Sequence, residues 1–107
     1  MKDYDISTNF QAHSDYLLKC VISPDANVVA TTSADHSIKL WDPANGYALA
    51  RPPLKQHQRW VWDLAFSADS SFMVTASSDQ SAKLWLHLLF LLLMFCVVLY
   101  PNYLNLL

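Results

Sequence analysis

Glutamate is absent from this 107-residue chain, and glycine occurs only once. All nine acidic residues are therefore aspartates, while serine and threonine are plentiful. Glutamate favours helices, whereas Ser, Thr and Asp are common in turns and β-branched residues fit a pleated sheet. This residue usage favours strands and turns over long helices.

Charge is scarce as well, and its distribution excludes one class of partner. Seven basic residues against nine acidic ones give a net charge of −2, and every Lys and Arg stands alone in the sequence. A nucleic-acid-binding domain carries its basic residues in clusters or stripes. We therefore expect no nucleic-acid partner.

Signals for metal binding and for secretion are also missing. Cys20 and Cys96 lie far apart, without the Cys-x-x-Cys or Cys/His spacing of a zinc site, and one pair does not define a disulfide framework. The N-terminus lacks the basic start and apolar core of a signal peptide. We predict no metal, no other cofactor and a cytoplasmic location.

The sequence does contain an internal repeat. A shift of 44 residues, without a gap, superposes ten identical pairs over residues 13–41 and 57–85, including Lys39-Leu40-Trp41 on Lys83-Leu84-Trp85. Runs with a period of two alternate with turn formers in both halves, which is typical of short strands joined by hairpins. We predict strands at residues 16–22, 28–33, 37–41 and 47–51 in the first repeat and at 60–66, 72–77 and 81–85 in the second.

The repeated residues resemble the WD40 family. The resemblance lies in His13, Ser33-Ala34-Asp35 and Leu40-Trp41-Asp42 of the first repeat and in the residues at 57, 77–79 and 84–85 of the second. The resemblance implies an all-β fold, a partial WD40 β-propeller of about two blades, followed by an apolar, helical C-terminal tail. We divide the chain into a lead-in or outer strand at 1–11, a first repeat at 12–56, a second repeat at 57–85 that lacks its fourth strand, and an unrelated apolar tail at 86–107.

A narrower resemblance lies in Gln58–Asp63, Val74–Asp79 and Ala82–Trp85, with Gln11–His13 and Leu18–Cys20 upstream. These stretches resemble the last two repeats of the small WD40 subunits of target-of-rapamycin (TOR) kinase complexes. That family implies a protein-interaction scaffold that binds the TOR kinase domain in both TOR complexes, with the kinase and its complex subunits as partners in nutrient and growth signalling.

His13, Ser33 and Asp35 have the residue types of a hydrolytic triad, but the same set recurs in the second repeat, and a catalytic site is rarely copied once per blade. The WD40 resemblance implies instead a buried chain from Trp indole to hydroxyl to His ring to Asp carboxylate. We predict no catalytic residues and two structural tetrads: His13, Ser33, Asp35 and Trp41, and His57, Ser77, Asp79 and Trp85. Thr31 and Thr75 are alternative hydroxyls, since they share a face with the serines.

Arg59 and Trp60 lie where the first strand of the second repeat begins, and Tyr16 is their equivalent in the first repeat. Strand entries surround one rim of a propeller, and Trp, Tyr and Arg are enriched at binding hot spots. We therefore predict that Tyr16, Arg59 and Trp60 face a protein partner. Trp62, in mid-strand, is expected in the core.

The uncharged tail leaves three interpretations open. The tail is unrelated coding sequence, a membrane anchor, or a replacement for the missing fourth strand. For an anchor it is short, because residues 84–100 supply 17 residues before Pro101 and a helix that spans a membrane needs about 20. The alternatives to a TOR-associated scaffold are a WD40 scaffold of another complex and a tail-anchored membrane protein, the one case in which a membrane would be a partner.

Overall fold

The chain folds into two four-stranded antiparallel sheets, one built on each repeat. The computed structural model describes the backbone of residues 6, 8–88 and 93–99 and the side chains of residues 6 and 8–86. The first sheet contains, in spatial order, β1 (Leu17–Ile22), β2 (Val29–Ser33), β3 (Ile38–Asp42) and β4 (Ala48–Leu49). The second contains β5 (Val61–Phe66), β6 (Phe72–Ser77), β7 (Ala82–Leu88) and β8 (Leu93–Leu99). The all-β prediction is confirmed.

Aspartate closes the hairpin between the first two strands of each sheet. Asp25 accepts hydrogen bonds from the Ser23 hydroxyl at 2.7 Å and from the Asn27 N–H at 3.0 Å, and Asp69 is bonded in the same way in the second sheet. The short Asp side chain reaches the backbone two residues ahead, which explains the choice of Asp over Glu.

A chain with one glycine must turn its hairpins with other residues. Ala26 and Ser70, which are equivalent in the two repeats, have φ values of 61° and 64°, and the equivalent His36 and Gln80 have 73° and 68°. This left-handed conformation is uncommon for residues with a Cβ. Its recurrence at matching positions shows that the two sheets share turn geometry as well as strand order.

The two sheets stack face to face, and the core lies between them. The core consists of Ala30, Ile38 and Leu40 from the first sheet and Val61, Leu64, Met73 and Trp85 from the second. Two polar contacts also join the sheets: Lys19 lies 3.5 Å from Asp63, and the Asp25 N–H donates to the Ser70 hydroxyl at 3.1 Å.

The segment between the sheets forms the outer edge of the first one. Asp42 caps a short 3-10 turn at Pro43–Asn45, and the fourth strand predicted near residues 47–51 is present as Ala48–Leu49. Farther on, Leu54 exchanges two backbone hydrogen bonds with Ile38, at 2.9 and 2.8 Å. This segment therefore connects the two repeats while remaining paired to β3.

The predicted tail helix is wrong over Leu93–Leu99, which form a strand instead. The second repeat at 57–85 has no fourth strand of its own, and this tail strand takes the fourth place in its sheet. β7 continues past Trp85 to Leu88, and all seven of its residues pair with β8. An unpaired edge bonds to an extended backbone whatever its side-chain periodicity. Residues 89–92 and 100–107 of the predicted tail lie outside the described residues. Within the described part of the chain, no helix is long and apolar enough to cross a membrane.

Candidate functional site

Each sheet contains a buried chain of hydrogen bonds that begins at the tryptophan of its third strand. In the first sheet, Trp41 Nε1–H donates to Thr31 Oγ1 at 2.9 Å, and that oxygen lies 2.7 Å from His13 Nε2. His13 Nδ1 in turn lies 3.0 Å from Asp35 Oδ2. An aspartate at this position only accepts, so Nδ1 carries the proton and Nε2 accepts from the threonine.

The second sheet repeats this chain atom for atom. Trp85 Nε1–H donates to Thr75 Oγ1 at 3.0 Å, Thr75 Oγ1 lies 2.8 Å from His57 Nε2, and His57 Nδ1 lies 2.9 Å from Asp79 Oδ2. His13, Thr31, His57 and Thr75 are all buried. The two networks connect β2 and β3, and β6 and β7, to the loops that precede β1 and β5.

The assignment of Ser33 and Ser77 to these chains is wrong, since Thr31 and Thr75 supply the hydroxyls. Ser33 Oγ instead accepts the backbone N–H of Asp35 at 3.1 Å, and Ser77 Oγ accepts that of Asp79 at 3.2 Å. Trp41 pairs across the sheet with Val29. Along β2, Thr31 lies two residues from Val29 and Ser33 lies four. Ser33 is therefore about 7 Å farther from Trp41 along the strand than Thr31 is.

Two further pairs of residues support the networks and were missed in the sequence. Ser37 donates to Asp35 Oδ1 at 2.6 Å, and Ser81 donates to Asp79 Oδ1. Lys39 Nζ donates to the Ala12 carbonyl at 2.7 Å, and Lys83 Nζ donates to the Gln56 carbonyl. All four side chains belong to the identities that the 44-residue shift reveals, and that duplication was the available signal.

Burial and hydrogen bonding set the charges in the networks. Burial lowers the pKa of His57 below its ordinary 6.5, although the hydrogen bond and charge of Asp79 act in the opposite direction. Burial alone would raise the pKa of Asp35, but hydrogen bonds from Ser37 and His13 outweigh it and lower that pKa to about 2. A neutral ring beside an ionised carboxylate is the pairing that the bond directions require.

The lowered pKa values predict a stability that falls in two steps on acidification. Below about pH 6.5 the unfolded chain protonates His57 while the folded chain resists it, so the free energy of unfolding decreases. Between pH 3.8 and about 2 the same happens at Asp35. Urea unfolding at pH 7.5, 6.0 and 5.0 measures the first step.

A His57→Gln variant should be less stable overall but should lose the part of the pH slope that His57 supplies. His36 is exposed, and His36→Gln is therefore the matched control that retains the slope. A wild-type stability that is level between pH 7.5 and 5.0 would contradict a buried neutral His57.

Exposed aromatic side chains gather where β1 and β5 begin. The Tyr16 and Trp60 rings lie 6.4 Å apart, the Trp60 and Trp62 rings 5.3 Å apart, and the Trp62 indole N–H donates to the Ser78 hydroxyl. Tyr16 is 70% exposed, Trp60 39% and Trp62 50%, and Arg59 is also exposed. We call Tyr16, Arg59, Trp60 and Trp62 the rim cluster.

Trp62 is therefore not in the core, contrary to the prediction. The β5 strand has an irregular register between Val61 and Asp63, and Val61 and Leu64 both reach the core across it. Trp62 is directed away from that core and lies beside Trp60.

A pocket adjoins the rim cluster. It has a volume of about 470 Å³ and is lined by His36, Gln58, Arg59, Trp60 and Ser78. His36 comes from a turn of the first sheet, whereas the other four come from the second. The rim cluster and this pocket thus form a surface of aromatic faces, a guanidinium and polar groups to which both sheets contribute.

Comparison with known proteins agrees with this structure. A family model described as "WD domain, G-beta repeat" matches residues 5–42 and 50–85. The "Non-functional target of rapamycin complex subunit LST8-2" of Arabidopsis thaliana is 43% identical over 67 residues, which cover 62% of this chain and 21% of that relative.

Two further relatives match this chain with similar identity and coverage. "Target of rapamycin complex subunit LST8-1" of Arabidopsis thaliana is 45% identical over 56% of this chain and 19% of its own length. "Target of rapamycin complex subunit LST8" of Bos taurus is 40% identical over 51% of this chain and 19% of its own length. The predicted likeness to TOR-complex subunits is confirmed, and the chain spans about one fifth of the length of these relatives.

Proposed function

Because this chain belongs to the WD40 repeat family, we propose that it is a non-catalytic protein-interaction scaffold that binds the kinase domain of TOR in the cytoplasm. The exposed rim cluster is the observation that carries this proposal. Relatives named as subunits of target of rapamycin complexes support a partner from such a complex, and we propose the kinase domain as that partner.

The rim cluster has the composition of a binding hot spot. Tryptophan and tyrosine bring large apolar surfaces with few rotamers to immobilise, and arginine binds a carboxylate through two parallel hydrogen bonds. Trp60 and Arg59 also line the pocket, so a partner side chain inserted there would contact both. Clusters of exposed aromatic rings are uncommon on a surface that binds nothing.

The tetrads support a scaffold over an enzyme. Their hydroxyl groups belong to Thr31 and Thr75, which are 4% and 0% exposed, so a substrate could not reach them as nucleophiles. Each hydroxyl also has its proton committed to a histidine and its oxygen to a tryptophan. Their role is to hold the rim loops in place.

Replacing Arg59 and Trp60 together by alanine should weaken binding to the TOR kinase domain by about 2–4 kcal/mol, which is the range for losing a pair of hot-spot residues. Both side chains are exposed, so the melting temperature should change little. Biolayer interferometry on immobilised kinase domain gives the affinity, and a thermal melt gives the stability.

The control is Leu49→Ala with Lys55→Ala, which also removes one exposed apolar group, from the edge strand β4 of the first sheet, and one exposed cation. That variant should bind as the wild type does. Kinase binding that survives the Arg59/Trp60 replacement, or a loss of binding that merely follows unfolding, would refute the assignment of the rim cluster.

A further inference from the structure

One face of each sheet keeps exposed apolar side chains, although on the first sheet Phe10 packs against Trp41, with ring centroids 4.9 Å apart. On the first sheet, Leu17, Cys20 and Ile22 of β1 are exposed, with Leu17 at 51% and Ile22 at 61%; we call these three residues the front face. On the second sheet, Phe72, Val74 and Ala76 of β6 are exposed, with Phe72 at 43% and Val74 at 39%; we call them the back face.

The 44-residue repeat relates these two faces to the interface already present inside the chain. The front face corresponds to Val61, Leu64 and Phe66 of β5, which pack against the first sheet. The back face corresponds to Val28, Ala30 and Thr32, which line the first sheet where it meets the second: Ala30 and Thr32 are 0% exposed and Val28 packs on the core. Each uncovered face is thus the counterpart of a face that the chain buries.

We propose that copies of this chain stack head to tail, with the back face of one copy covering the front face of the next. The contact between copies would continue the contact between the two sheets of one chain, with the same strand geometry and with apolar side chains on both sides. Such an interface is heterologous, because each copy offers two different surfaces.

Charge complementarity supports a second copy as the occupant. Inside the chain, Lys19 lies 3.5 Å from Asp63, and these two residues are equivalent under the 44-residue shift. At the junction between copies their roles would exchange, so Asp63 of one copy would face Lys19 of the next. Opposite charges therefore meet at both junctions, whereas two identical residues at this position would repel each other.

Head-to-tail stacking is also compatible with the number of blades that closes a propeller into a ring. Propellers usually close with four to eight blades, and each copy contributes two sheets, so two to four copies complete a ring. The outer edge of β7 takes no part in this contact, because β8 is already paired along it.

The oligomeric state of the full 107-residue chain tests the proposal. Sedimentation equilibrium should give the mass of two to four chains of 12.2 kDa each. Ile22→Asp, on the front face, and Val74→Asp, on the back face, should each reduce the mass to that of one chain. A 1:1 mixture of the two variants should form a dimer and nothing larger, since only one intact face of each kind remains.

Ile6→Asp is the control, because Ile6 is 83% exposed and lies outside both sheets; this variant should assemble like the wild type. Far-UV circular dichroism establishes that each variant keeps its strands, and Ile22→Ser and Val74→Ser replace any aspartate variant that does not. A monomeric wild type overturns the proposal. So does a dimer of Ile22→Asp alone, which would indicate pairing of like faces, and so does assembly that neither variant reduces.

Discussion

Replacing Trp85 by alanine should lower the free energy of unfolding by about 3–5 kcal/mol, the usual effect of truncating a buried tryptophan. Trp85 is 2% exposed and belongs to the core between the sheets, and its indole N–H is the donor at the head of the second network. The variant therefore loses packing in that core and leaves the Thr75 hydroxyl without its donor. Urea unfolding followed by circular dichroism measures the change.

Trp62→Ala is the matched control, because it removes the same side chain from a site that is 50% exposed. Its effect should stay within about 1 kcal/mol, as for other surface positions. Equal destabilisation by the two variants would show that Trp85 is not a core residue. Trp85→Phe separates the two contributions, since phenylalanine keeps much of the packing and loses the N–H.

Replacing Thr75 by valine should destabilise the chain by about 2–6 kcal/mol, counting about 1–3 kcal/mol for each buried polar group left unpaired. Valine has nearly the same shape as threonine, so packing is preserved while the hydroxyl is lost. His57 Nε2 then loses its donor and Trp85 Nε1–H loses its acceptor. Chemical denaturation reports the loss directly.

Ser77→Ala is the comparison that distinguishes the two hydroxyls. Ser77 makes longer bonds, with the Asp79 N–H at 3.2 Å and the Arg59 carbonyl at 3.3 Å, and it is not fully buried. Its replacement should cost about 0.5–1.5 kcal/mol, the net value of an ordinary hydrogen bond. A larger effect from Ser77→Ala than from Thr75→Val would return the serine to the tetrad.

Much of the fold could be predicted because the chain is duplicated. A strand that occurs twice at the same spacing is constrained by two sets of residues, and turn formers separate the strands in both halves. Asp25 and Asp69, for example, mark equivalent hairpins, and both close them with the same hydrogen bonds. The histidine, aspartate and tryptophan of each tetrad also recur in the duplication, but their assignment to a buried network came from the WD40 resemblance.

What could not be predicted depends on distances that residue order does not contain. Thr31 and Ser33 lie on one face of β2, and only the register with β3 shows which hydroxyl is level with Trp41. Trp62 seemed a core residue by its position in mid-strand, but the irregular register beside it directs Val61 and Leu64 inward instead. The tail has helix-favouring leucines, and the open edge of β7 outweighed that preference.

The pairing of β8 with β7 has a consequence for how such proteins diverge. Residues 93–99 resemble nothing in the first repeat, yet they fill the place that β4 holds there, because strand pairing requires only N–H and C=O groups at regular intervals. The outermost position of the second sheet is therefore permissive to replacement. A frameshift or an altered splice site beyond Trp85 can supply a new C-terminus without disturbing the networks behind it, provided that the incoming residues can run extended beside β7 and contain no early proline.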